Sequence, residues 1–177
     1  MSQSTSQYPL DDRVGDRLAI DDVLKRHCRG LDRNLPGQLK DCYWPEADVD
    51  YGSFKGPAHS FAELVGAALS EAYELTRHAI SNSLIEFDGE QARVESYVQA
   101  GHLFPGGSQQ MRFEGRYLDL LEKRDGQWRM LHRQVVMDWS QTSTLDDERE
   151  SEAFAALAKG SSDGSDPLHA FLQTEAK

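Results

Sequence analysis

The sequence predicts an α+β fold, with helices packed on one face of a curved antiparallel sheet. Three observations predict it. Apolar residues in the first part of the chain recur at helical spacing. From about Arg77 onward the apolar period changes to two. Two Asp-Gly pairs, Asp88-Gly89 and Asp125-Gly126, fall between alternating runs, where hairpin turns belong.

Ile20, Leu24, His27 and Leu31 share one helical face, so the spacing predicts a first helix over about 14–31. The stretch "NLPGQLKDCYWPEA" reads as a short helix closed by Pro45, and "DVDYGSF" as a strand. Pro57 stands near the start of a further helix with an apolar face through Phe61, Leu64, Val65 and Leu69. "RHAISNSLIEFDGEQARVESYVQAGHLF" then reads as one hairpin and "MRFEGRYLDLLEKRDGQWRMLHRQVVMDW" as a second. A final helix is expected over about 146–158. The expected organisation is a flexible N-terminus at 1–12, one domain at 13–158, and a C-terminal tail at 159–177 able to dock on a neighbouring subunit. There are no internal repeats.

A chain of 177 residues suits one domain with a sizeable core. Its net charge of −11 argues against nucleic acid or an anionic membrane surface as partner, and no apolar run reaches the length of a membrane span. The start, "MSQSTSQYPLDD", lacks the apolar core of a signal peptide, and Cys28 and Cys42 make no disulfide framework. A cytoplasmic protein is the expectation. No GxGxxG, P-loop or GxSxG motif is present, which leaves nucleotide binding and a serine-hydrolase elbow without support.

Polar residues on apolar faces are the informative ones, because an unpartnered polar group costs about 1–3 kcal/mol when buried. One face of the strand from Ala92 reads Ala92, Val94, Ser96, Val98, Ala100, His102. The preceding strand reads His78, Ile80, Asn82, Leu84. Each strand thus brings one imidazole to an apolar face. Asp32, at the end of the first helix, sits where the helix dipole disfavours a carboxylate. Two readings stay open at this level: a carboxylate capping the turn into Asn34-Leu35-Pro36, or one that orients a neutral imidazole as a general base. Tyr51 and Tyr117 can donate to a ligand or simply pack; His27 reads as core. Two His and a carboxylate can also bind iron or zinc, but here they come from distant segments with no HxD or HExxH pair, so no metal is expected.

The order "GLDR", "CYWPEADVDYGSFKGP", "TRHAISN", "GEQARVESYVQAGH", "KRDGQWRMLHRQVVMDW" resembles the SnoaL-like group of the nuclear transport factor 2-like superfamily over about residues 14–140. The resemblance implies a cone-shaped α+β barrel: three helices on a strongly curved mixed sheet enclosing a pocket. It further implies the Asp–His dyad of scytalone dehydratase, hexachlorocyclohexane dehydrochlorinase and bile-acid 7α-dehydratase, falling here on Asp32 and His78. Similarity to scytalone dehydratase also points to Tyr51 and His102 as catalytic partners. That enzyme carries Tyr where this chain has Leu31, and Ser and Asn where it has Gly115 and Tyr117. The implied activity is that of a cofactor-independent lyase acting on a small cyclic or aromatic molecule. Loss of water or halide fits, and so does retro-aldol-like C–C cleavage such as formaldehyde loss from a lignin-derived aryl diol. Tyr117, Trp44, Phe54 and Trp139 are the candidate substrate-binding aromatics. The rival readings are an isomerase or cyclase in the same pocket, or a non-catalytic assembly subunit such as the small subunit of a ring dioxygenase. Relatives imply a homodimer or homotrimer.

Overall fold

The computed structural model describes residues 13–175. The flexible N-terminus expected at 1–12 and the last two residues of the tail lie outside the described residues. The elements run α1 (Val14–Asp32), α2 (Pro36–Asp41), β1 (Tyr43–Asp50), β2 (Lys55–Pro57), α3 (Ala58–Ala72), β3 (Leu75–Asp88), β4 (Gln91–Leu103), β5 (Gln109–Arg124), β6 (Gln127–Thr144) and a short α4 (Pro167–Phe171). The six strands form one curled sheet in the order β2-β1-β6-β5-β4-β3. All neighbours are antiparallel except β1 and β6, which run parallel.

The hairpins form where the turn chemistry puts them. Asp125 and Gly126 have φ of 49° and 78°, the two positive values that a twist-compatible two-residue turn requires. In α1 the buried stripe is Ile20, Leu24, His27, Cys28 and Leu31. It meets Phe61 and Ala62 of α3 and Tyr43, Val49, Val94, Leu121 and Met130 of the sheet in one core. Each such large apolar side chain contributes about 1.5–3 kcal/mol on burial. Gly66 of α3 accommodates the turn that follows α1. A Cβ there would stand 1.7 Å from the Asn34 side-chain oxygen, so a larger residue would require the Asn34 side chain to swing away.

Several expectations require correction. α2 stops at Asp41 and β1 begins at Tyr43, so Pro45 lies inside a strand rather than closing a helix. Leu64 is exposed; Phe61, Ala62 and Gly66 carry the buried face of α3. No helix forms over 146–158. Isolated turns take its place, such as Phe154 N–H to Ser151 O, because Phe154 and Leu157 find no apolar surface to cover. The β3 alternation breaks at a bulge between Ile80 and Ser83, and an extra residue flips every later side chain to the other face. Ile85 therefore turns inward and Leu84 outward, 56% exposed. Beyond β6, Leu145 N–H donates to Ser108 O and Arg149 pairs with Glu74; within the tail at 159–177, Asp166 pairs with Arg33.

Candidate active site

α1 delivers Asp32 as its last helical residue, and β3 runs alongside that helix end. Thr76 and His78, two apart on β3, share the face turned toward it. Thr76 Oγ1 donates to Asp32 Oδ1 at 3.0 Å. The His78 backbone N–H donates to Oδ2 at 2.9 Å, and His78 Nδ1 stands 2.7 Å from Oδ1. The carboxylate, 7% exposed, thus accepts three hydrogen bonds, which offset the unfavourable helix end. A carboxylate only accepts, so the contact places the imidazole proton on Nδ1 and leaves Nε2 with a free lone pair.

His102 reaches the same place from β4. His78 pairs across the strands with Ala100, two residues from His102. The two imidazole rings meet edge-to-face with centroids 5.5 Å apart. Burial, together with the nearby His78, lowers the His102 pKa to about 4, so it is neutral at pH 7. Its buried Nδ1 has no hydrogen-bond partner. Two cavities meet at the dyad. One of about 520 Å³ runs between α1 and β3 to Asp166 and Leu168. The other, of about 710 Å³, is lined by Thr76, His78 and His102 and bounded by Leu145, Arg149 and Gly160 of the C-terminal segment. Both are of the size that small-molecule sites occupy. Among the described residues no three His, Cys, Asp or Glu side chains gather closely enough to hold a metal ion.

Tyr51 does not touch the dyad. It lies in a second buried cluster farther along the concave face. Arg133 and Asp119, with fully buried side chains, form a two-pronged ion pair of 2.7 Å on each arm. Arg133 Nη1 lies 2.9 Å from His27 Nδ1, and His27 Nε2 lies 2.8 Å from the Tyr43 hydroxyl and 3.5 Å from that of Tyr51. The Arg133 guanidinium sits 3.9 Å from the centroid of the Tyr117 ring, so Tyr117 is buried in this cluster. Phe54 joins it through Phe61, whose ring is 5.6 Å away. His27 is buried as expected, but as a hydrogen-bonded member of a polar network.

Trp44 and Trp139 do not line the site. Trp44 directly follows Tyr43, and in the strand row of Tyr43 that residue pairs with Met130, Met130 with Leu121 and Leu121 with Ala92. Ala92 is eight residues along β4 from Ala100, the partner of His78, or roughly 26 Å at a strand's rise per residue. The Trp44 indole N–H donates to Glu122 O, and its ring faces Arg124 and Arg129. Trp139 pairs with Glu114 on the outer face of the sheet and is 50% exposed.

The sequence reading missed Thr76, Asp119 and Arg133. Thr76 carried a usable signal, standing two residues before His78 on the same strand face. Arg133 carried a misleading one. Trp128 and Met130 face inward, so strict alternation would send Arg133 outward; a bulge between Leu120 and Leu121 of β5 and their β6 partners reverses it.

Residues 12–134 match the SnoaL-like domain family. The chain belongs to that family. This SnoaL-like chain is 27% identical over 124 residues to hexachlorocyclohexane dehydrochlorinase 1 of Sphingobium indicum, covering 67% of this chain and 79% of that one. It is 24% identical over 133 residues to the gamma-hexachlorocyclohexane dehydrochlorinase of the same species, covering 72% and 84%. Among solved structures it resembles the hexachlorocyclohexane dehydrochlorinase of Novosphingobium barchaimii LL02, with a TM-score of 0.67 at 22% identity over 76% of this chain and 93% of that one. The curled mixed sheet with its helices is the nuclear transport factor 2-like architecture.

Proposed function

We propose that this SnoaL-like protein is a lyase whose general base is His78, oriented by Asp32, acting on a small cyclic or aromatic molecule. The observation that carries the reading is the triple anchoring of Asp32 by Thr76 and by both the backbone and the ring of His78. That arrangement fixes the tautomer and orientation of the imidazole and leaves Nε2 to take a proton. A C–H proton passes to Nε2, the C–H bonding pair becomes the new double bond, and a leaving group departs with its own bonding pair. The Asp32 carboxylate faces the positive charge that forms on the ring. Neutral His102, with an unpartnered Nδ1, is placed to meet an oxygen or the leaving group.

The related dehydrochlorinases support elimination of halide, and water is an equally suitable leaving group for the same base. The experiment measures chloride release from γ-hexachlorocyclohexane, and product mass for a panel of cyclic and aryl alcohols. Elimination appears as a lost mass of water or hydrogen chloride; an unchanged mass would replace the lyase with an isomerase. Once a substrate is found, His78→Ala should reduce turnover about 10²–10⁴-fold. Unaltered turnover in both Asp32→Ala and His78→Ala would refute the dyad.

A further inference from the structure

In the middle of α1 each cation follows an acid by one turn. Asp21 pairs with Lys25 and Asp22 with Arg26, the favourable order on a helix. Arg29 and Arg33 have no such acid. The residue one turn ahead of Arg29 is Lys25, and the one ahead of Arg33 is Arg29. Like charges at that spacing repel, and this happens in a chain of net charge −11. The negative helix end favours cations there, but it takes up none of their side-chain donors.

Lys25, Arg29 and Arg33 all line the cavity of about 520 Å³ that also holds Asp32 and His78. Arg29 is held by a neutral partner. Gln38 of α2 donates Nε2 to Arg26 O at 2.6 Å, which turns its Oε1 toward Arg29 Nε and Nη2, 3.0 and 2.6 Å away. No carboxylate pairs with Arg29 among the described residues, and its Nη1 is left to donate. Arg33 gives Nη1 to the Asp32 backbone carbonyl at 2.9 Å. Its Nε stands 3.4 Å from Asp166 Oδ2, longer than a close charge-assisted bond. Both carboxylates in the cavity wall are engaged elsewhere: Asp32 by Thr76 and His78, Asp166 by the backbone N–H groups of Ser161 and Leu168. Cys28, Ala79, Ile80 and Leu168 make the rest of the wall apolar.

We propose that Arg29 and Arg33 form an anion subsite beside the dyad, and that the molecule on which the dyad acts is an aryl or cyclic carboxylic acid. The two guanidinium groups stand one helical turn apart, a spacing from which both can donate to one carboxylate. The carboxylate of the ligand supplies the acid missing from the row, and its ring lies against Ile80 and Leu168, beside His78. This inference rests on the reading above in taking the His78 cavity as the substrate site. Its readout is binding without turnover, so it fails separately: benzoate bound by a chain that eliminates nothing would sink the dyad and leave the subsite standing.

The test titrates the full chain with sodium benzoate and with its uncharged isostere benzamide, by calorimetry, while backbone amide shifts locate the site. Benzoate should bind about tenfold more tightly than benzamide and move the amide signals of 25–33 and 78–80. Raising sodium chloride from about 0.05 to 0.5 M should weaken benzoate and leave benzamide unchanged. Arg29→Gln should weaken benzoate about tenfold, the worth of one hydrogen bond to a charged group, and Arg29→Lys should keep most of the affinity. The double variant Arg29→Gln/Arg33→Gln should bind the two probes equally. Benzoate that fails to bind, or that binds no better than benzamide to the wild type, would overturn the proposal. So would undiminished benzoate affinity in the double variant, or inorganic phosphate that binds as tightly as benzoate.

Discussion

Asp32 holds His78 at two points at once: one carboxylate oxygen lies 2.7 Å from the ring Nδ1 and the other 2.9 Å from the backbone nitrogen of the same residue. A helix end is thereby fastened to an edge strand through the side chain proposed to do the chemistry. Position and the proposed catalysis depend on the same carboxylate.

Asp32→Asn separates the two. The amide keeps the shape but supplies one acceptor oxygen for three donors. Turnover on an identified substrate should fall about 10²–10⁴-fold. Leaving donors without acceptors should cost about 1–3 kcal/mol, measured by urea denaturation. Full activity in a folded Asp32→Asn protein would contradict the assigned role.

Acid should destabilise the protein before its carboxylates titrate. The His102 imidazole titrates near 6.5 in an unfolded chain but near 4 in the fold. Between those values the unfolded state binds more protons, so stability falls as pH drops from 6.5 toward 4 and this contribution levels off below. His27 acts in the same direction. The groups facing His102 are His78, Asp32, the Met111 backbone and the Tyr73 ring, 4.6 Å away between centroids. The urea midpoint should be lower at pH 5 than at pH 7, and His102→Gln should flatten the difference. Asp16 adds a later loss: the Trp128 indole, Lys123 and Arg13 lower its pKa to about 2, so its contribution disappears as pH falls from about 4 to 2.

Arg133→Met should be among the most damaging single changes, because it strands the Asp119 carboxylate in the interior. A cost of about 3–5 kcal/mol is expected. The double variant Arg133→Met/Asp119→Leu should recover much of it. Equal midpoints for the single and double variants would show that the charge pair is not the cause.

Gly115→Ser adds a side chain at the seam between β5 and β6. Here a Cβ at 115 would stand 2.2 Å from the Val136 carbonyl oxygen and 2.7 Å from the Phe113 ring, so β5 and β6 must separate. A loss of about 1–3 kcal/mol is expected, read from the thermal midpoint. An unchanged midpoint would mean that the register shift between Glu114 and Gly115 absorbs the side chain.

Asp166→Ala should loosen the C-terminal segment without unfolding the domain. Asp166 accepts from the backbone N–H groups of Ser161 and Leu168 and pairs with Arg33. Phe171 and Leu172 beyond it are exposed. Hydrogen exchange should accelerate over 160–172 while β4 and β5 keep their protection.

The sequence by itself determined α1, α3, the two hairpins and the two imidazoles on strand faces, because those follow from local periodicity and turn chemistry; the helix it suggested over 146–158 does not form. Asp32 announced itself through a local misfit, a carboxylate at the negative end of a helix. Its partner was chosen by resemblance, and the distances to His78 came only from the fold. Tertiary structure alone decided which side chains face inward beyond each bulge. The bulge in β3 turns Leu84 out and Ile85 in, and the one between β5 and β6 turns Arg133 into the core. A bulge is set by how a strand pairs with its neighbour and packs on the core, so one inserted residue reverses every side chain after it while leaving no mark in the strand's own composition.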